Sequence, residues 1–345
     1  MPAPMNHQWV LARRPHGPVN RQDFRWVEAP EPVPGEGDVL VRVLYLSCDP
    51  TQRGWMSADG YMPAVHIGEV MRSFAVGEVV VSRDAGFQPG QLVQGLFGWQ
   101  EFALARPGTA TAPTRVPPGV SIETAMSVLG LTGQTAYFGL LEVGRPKAGE
   151  TVVVSAAAGA TGSVVGQIAK IKGCRAVGIA GGSRKCRYLV DALGFDSAID
   201  YRSEDVARRL KETCPRGVDV YFDNVGGAIL DAALDNLAMG GRVVLCGAIS
   251  RYTSQDPEPP GPKNYLRLLL RRGRMEGFLV LDYFPRAEEA VRALAGWVTE
   301  GRLKNQVDVQ RGLENAPAAL ARLFEGANEG KQLVQIAEPS AGAYS

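Results

Sequence analysis

The chain has 345 residues, 45% hydrophobic and 21% charged, the composition of a folded protein of about two domains, which excludes extended disorder. Its 37 basic and 36 acidic residues leave a formal net charge of +1, so no overall field draws it to nucleic acid or an anionic membrane, and a small molecule is the expected partner. No window approaches the roughly 18 continuous apolar residues of a membrane span, and the amino terminus lacks the features of a signal peptide. The five cysteines, Cys48, Cys174, Cys186, Cys214 and Cys246, are scattered without a C-x-x-C pair, a reduced, cytoplasmic pattern.

Residues 1–125 read as short strands between Pro and Gly clusters, as in Asp38 to Leu46 (DVLVRVLYL) and Gly77 to Ser82 (GEVVVS), a mainly β domain. Over 126–302 apolar strands alternate with helical stretches, from Thr151 to Ser155 through Arg242 to Gly247, which predicts an α/β domain with a parallel sheet covered on both faces. A further strand is expected from Met275 to Leu281. Pro257 to Pro262 is too proline-rich for helix or central strand and is expected to be a loop. In the tail, residues 303–345, a helix at Pro317 to Glu325 and a strand at Gln332 to Ile336 are expected to complete the first domain. Three histidines, His7, His16 and His66, are scant material for a catalytic dyad or a metal cage.

Thr151 to Ser155 runs directly into Ala156-Ala157-Ala158-Gly159-Ala160-Thr161-Gly162, followed by the helical Ser163 to Lys172 and the strand Arg175 to Ala180. This βαβ unit supplies the context that a dinucleotide-binding glycine loop requires. Ala157 replaces the first glycine, which a small residue permits, while Gly159 and Gly162 allow close backbone approach and the helix start offers amides to a pyrophosphate. About 20 residues on, where NAD enzymes place an acidic residue for the ribose hydroxyls, the chain has Gly181-Gly182-Ser183-Arg184-Lys185. Two cations and a hydroxyl there favour a 2′-phosphate, so NADPH is expected over NADH.

The run Gly133 to Gly166, with Phe222 to Gly227 (FDNVGG), Cys246 to Ser250 (CGAIS), Leu46 to Pro50, Ile67 to Met71, Gly98 to Glu101 and Gly326 to Lys331, resembles the zinc-independent medium-chain dehydrogenase/reductases. Within them it is similar to the NADPH-dependent alkenal/one double-bond reductases, which include prostaglandin and curcumin reductases. The resemblance implies a GroES-like β domain plus a Rossmann domain with the active cleft between them, and a homodimer. It implies that Gly159, Ala160, Thr161 and Gly162 cradle the pyrophosphate, that Lys185 and Tyr201 contact the 2′-phosphate, and that Asn224 lines the cofactor cleft. It places Cys246, Gly247, Ala248, Ile249, Ser250, Tyr252, Phe278, Leu279, Val280 and Asn328 around the nicotinamide. Zinc-dependent relatives hold a metal with cysteine and a Gly-His-Glu segment; here Cys48, His66 and Gly68-Glu69 stand in the wrong order, and no metal is expected.

The reaction expected is reduction of the C=C bond of an α,β-unsaturated ketone or aldehyde by hydride transfer to the β carbon. Charge then develops on the carbonyl oxygen, where hydrogen-bond donors act most strongly. Tyr61 and Tyr252 are the candidate donors, with Arg53 a cofactor or loop contact. Two positions depart from the branch: Leu270 stands where some members carry a tyrosine, and Thr51-Gln52-Arg53 replaces Tyr-Met-Arg. A quinone reductase and a silent NADPH-binding protein are the rival readings.

Overall fold

The computed structural model describes residues 5–254 and 261–340. Most of the Pro257 to Pro262 loop therefore lies outside the described residues; Gly261 and Pro262 carry no regular structure. The chain divides into two compact units, the first comprising the described residues up to Met126, Val307–Asn328 and those from Gln332 on, the second Ser127–Gln306 and Glu329–Lys331.

In the first unit, strands β1 (Met5–Leu11) and β2 (Phe24–Pro30) form an antiparallel pair. A second sheet contains β3 (Val39–Ser47), β4 (Ala75–Ser82), β5 (Leu92–Gly95), β6 (Phe102–Ala105) and β7 (Thr114–Arg115). The tail adds β14 (Val307–Arg311) and β15 (Lys331–Gln335), giving the order β14-β15-β3-β4-β5-β7 with β6 also on β3. Nearly every residue of β3 is buried, because the sheet has a hydrophobic cluster on each side: Val39, Val41 and Val43 enter one, Leu44 and Tyr45 the other. The register shift between Val43 and Tyr45 is the bulge that lets the consecutive residues Leu44 and Tyr45 share one face.

The second unit holds a parallel sheet of β8 (Thr151–Ser155), β9 (Arg175–Ala180), β10 (Ser197–Asp200), β11 (Val218–Asp223), β12 (Leu237–Leu245) and β13 (Arg274–Gly277), in the order β10-β9-β8-β11-β12-β13. All five residues of β8 are buried, as a central strand covered on both faces requires. The chain leaves β8 toward β9 and β10, then returns to start β11 on the other side. The carboxyl ends of β8 and β11 therefore flank the point where the winding reverses, which is where open parallel sheets bind ligands.

Two expectations are corrected. The strand expected from Met275 to Leu281 stops at Gly277, and Val280–Arg286 is a 3-10 helix containing Pro285. The Phe278 ring leaves the strand direction to pack over Gly139, where a Cβ would collide with it, and lies 6.4 Å from the Phe222 ring. Residues 303–306, expected with the first domain, belong to the second unit, because the Leu303 and Lys304 amides bond to the Trp297 carbonyl and the Gln167 side chain at 3.0 and 2.7 Å.

Candidate cofactor-binding site

At the end of β8 the backbone turns sharply. Ala156 adopts φ 49°, and its carbonyl accepts the Gly159 N–H at 2.9 Å. The left-handed residue is thus Ala156, while Ala157, the expected stand-in for the first glycine, is buried beneath the turn. The helix Ala160–Ile171 starts at Gly159 without a side-chain cap. Ser163 takes the Gly159 carbonyl at 3.0 Å, so the amides of Ala160, Thr161 and Gly162 precede the first helical bond and remain for an anion. A Cβ on Gly162 would run into the Ala156 carbonyl oxygen; only glycine keeps this cradle open. Gly330 closes one side by donating its N–H to the Ala158 carbonyl at 3.0 Å, forming an isolated bridge with Gly159. These observations fit the pyrophosphate of a dinucleotide.

A second corner follows β9. Gly181 lies against the Tyr201 ring and the Arg202 side chain, each 2.9 Å from the position a Cβ would take. Half-buried Lys185 sits on the short helix Ser183–Arg187, and Arg184 pairs with Glu329 at 2.5 Å. Asp200, at the end of β10, accepts the Gly182 and Arg202 N–H groups at 2.8 and 3.0 Å and the Ser203 hydroxyl at 3.0 Å. Burial pushes its carboxyl up, but these bonds prevail and hold it below the usual carboxylate range. Asp200 thus spends its lone pairs on shaping the corner. Sequence reasoning missed it because it stands 18 residues beyond the loop it holds, with no motif to mark it.

The third part is the turn after β11. The Asn224 N–H donates to Ser155 Oγ at 2.8 Å, and its Nδ2 donates to the Ser155 carbonyl at 2.7 Å. The Asp223 carbonyl accepts the N–H groups of Cys246 and Gly247, Asn224 that of Ile249, and Val225 that of Ser250. Ser250 Oγ adds a bond to the Val225 carbonyl at 2.6 Å. Tyr252 folds back so that its hydroxyl accepts the Ala248 N–H at 3.2 Å. The turn and loop border a cavity of about 370 Å³ lined by Asp223, Cys246, Gly247, Ala248, Arg251 and Tyr252 among others. Burial pushes the Cys246 thiol up, which disfavours the thiolate a nucleophile needs.

The remaining candidates divide. Phe278 is packed as described, Leu279 is exposed, and Val280 opens the 3-10 helix. Leu270, in the helix Leu266–Arg271, is also exposed. In the first unit, half-exposed Tyr61 hydrogen-bonds Thr51 Oγ1, and Asn328 is half-buried. Arg53 is a loop brace: it is buried, and its guanidinium bonds the Pro15 and Gly17 carbonyls and Ser57 Oγ. His66 is exposed, not packed, and the Glu69 carboxylate accepts its backbone N–H at 2.9 Å.

Residues 7–112 match the family described as the N-terminal domain of oxidoreductase, and residues 160–296 the family described as zinc-binding dehydrogenase. The chain is 42% identical over 338 residues to the NADPH-dependent curcumin reductase of Escherichia coli, covering 96% of this chain and 97% of that one. It is 42% identical over 305 residues to the NADP(+)-dependent 2-alkenal reductase of Nicotiana tabacum, 88% of each. The crystal structure of CurA from Vibrio vulnificus in complex with NADPH matches with a TM-score of 0.91 at 41% identity, over 96% of this chain and 100% of that one. The second family's description implies zinc, and the residues do not fit it: among the described residues no group of three or more His, Cys, Asp or Glu could hold a metal ion.

Proposed function

The chain belongs to the zinc-independent medium-chain dehydrogenase/reductases, in the branch of the NADPH-dependent alkenal and curcumin reductases, and from that premise we propose that it reduces the C=C bond of α,β-unsaturated ketones and aldehydes with NADPH. The observation that carries the reading is the pairing of an uncapped helix start behind Gly159 with a cationic corner at Lys185: one suits a pyrophosphate, the other a 2′-phosphate. When bound, NADPH supplies the hydride that the β carbon of the substrate takes. The amides of residues 160–162 would hold the pyrophosphate, Lys185 and Tyr201 the 2′-phosphate, and Asn224 and the 246–252 loop, with Phe278, the nicotinamide end. Negative charge developing on the substrate carbonyl oxygen needs a donor in place beforehand. Tyr252, whose hydroxyl is aimed by the Ala248 N–H, is the proposed donor, with Tyr61 a second. Solvent protonates the α carbon, so no dedicated general acid is required.

The unbridged cysteines support a cytoplasmic location, and no described helix is long and apolar enough to cross a membrane. β13 ends the sheet order, an edge on which a second copy continues the sheet in a homodimer; light scattering tests it.

The test of the function is consumption of NADPH with an aliphatic enone, an enal, a long dienone and a quinone. Turnover of the enone and enal is expected, and Tyr252→Phe is expected to lower kcat about 10²-fold, as losing one donor at a developing oxyanion does. Turnover of the quinone alone, or binding without turnover, overturns the proposal.

A further inference from the structure

Asp223 is the last residue of β11 and is 1% exposed. All its side-chain bonds among the described residues converge on Oδ1: the Tyr221 hydroxyl at 2.9 Å, Ser155 Oγ at 3.1 Å, and the N–H groups of Val225 and Gly226, both at 3.0 Å. Its backbone carbonyl meanwhile holds Cys246 and Gly247. One residue therefore ties together the end of β8, the turn that carries Asn224, and the start of the 246–252 loop. Oδ2 is buried without a partner, on a side chain that lines the 370 Å³ cavity.

We propose that Asp223 is a positioning residue for NADPH binding, whose Oδ1 is the common acceptor that sets where Ser155 and the turn carrying Asn224 present their groups, while its backbone carbonyl holds the start of the 246–252 loop, and whose Oδ2 carries a proton. No ion pair involves Asp223 among the described residues. A buried carboxylate without a cation and with one bare oxygen is costly, whereas the neutral acid leaves Oδ1 an acceptor and removes the charge from the buried site. Burial also pushes the carboxyl up, against the pull of the Gly226 and Val225 N–H groups. The titratable and charged groups around it are Tyr221 on its own strand, Cys246 at the end of the adjoining strand, and Arg251 and Tyr252 across the cavity. The inference rests on the proposed cofactor and not on the substrate.

The neutral acid has a near-isosteric mimic, since asparagine keeps the acceptor and places N–H where the proton would be. The experiment measures NADPH affinity by fluorescence, without substrate, for the full chain and for Asp223→Asn, Asp223→Ala and Ser155→Ala, together with KM for NADPH, kcat and unfolding temperature. Asp223→Ala is expected to weaken NADPH binding about tenfold or more by stranding buried donors, raising KM for NADPH far more than it lowers kcat. Asp223→Asn is expected to restore affinity to within about threefold of wild type, with a pH profile of binding parallel to that of wild type. An Ala variant that binds as wild type overturns the positioning role. An Asn variant as weak as Ala, or an extra step in the wild-type profile alone, overturns the neutral form. Should Asp223→Ala fail to fold, Ser155→Ala decides: weaker NADPH binding supports the network, and unchanged binding overturns it. A wild type that binds NADPH but reduces no enone sinks the proposed reaction and leaves this inference standing.

Discussion

The two regions of the second unit proposed to recognise phosphate are built from different material. At the glycine loop the donors are main-chain amides at a helix start, and the space for the anion exists because Gly162 has no side chain. At the Gly181–Lys185 corner the groups proposed to recognise phosphate are the side chains of Lys185 and Tyr201, and a carboxylate, Asp200, is spent on fixing the turn. On the proposed reading, backbone donors let the first region hold any dinucleotide without telling one from another, and side-chain charge makes the second the place where NADPH is chosen over NADH.

The sharpest way to break this contrast is Gly162→Val. Its side chain meets the Ala156 carbonyl, so the loop must move or the helix start must shift; NADPH and NADH binding are expected to fall together, by about 10²-fold or more, since several charge-assisted bonds are lost at once. Calorimetry with both cofactors checks it, and a loss confined to NADPH would erase the distinction. Lys185→Ala is expected to do the reverse: about 10- to 100-fold weaker NADPH, the worth of one charged hydrogen bond, with NADH unchanged. Equal losses for both cofactors would place Lys185 in the shared part of the site. The smallest effect is expected for Asp200→Asn, read as unfolding temperature against pH. Because the Asp200 carboxyl is held below its ordinary value in the folded chain, its stabilisation is full above about pH 4, the unfolded value, and drains away as pH falls through the folded one. The variant should start lower at neutral pH and lose less on acidification; parallel curves would show that the Gly182 and Arg202 amides do not depend on the charge.

Most of the parallel sheet was legible because the signal is local: TVVVS followed at once by a small-residue loop and a helical stretch can be read from about 30 residues of chain. The misreading at Met275 to Leu281 arose where local pattern ran against packing. FLVL reads as an apolar strand directly after β13, yet Phe278 finds its place over Gly139 and Pro285 cannot donate to a ladder. Arg53 and His66 illustrate the same limit in the other unit, since a motif position does not say whether a guanidinium faces a ligand or the carbonyls of a neighbouring loop. Asp200 and Asp223 were invisible for a different reason. Each also binds a partner far along the chain, 18 positions away for Asp200 and 68 for Asp223, and their importance comes from burial and convergence of donors, which no residue spacing encodes.

The tripeptide Glu329–Lys331 belongs to the second unit although the chain on both sides of it belongs to the first. The consequence is one of modularity. A stretch cut from residues 127–306 would leave the Ala158 carbonyl without its Gly330 partner and Arg184 without Glu329, so the nucleotide unit cannot be lent to another protein as one continuous piece. Chimaeras between relatives that exchange the central segment alone would inherit a borrowed edge on the glycine loop. Those that move residues 329–331 along with it keep the edge native, and recombination within such a chain should be tolerated in the same order.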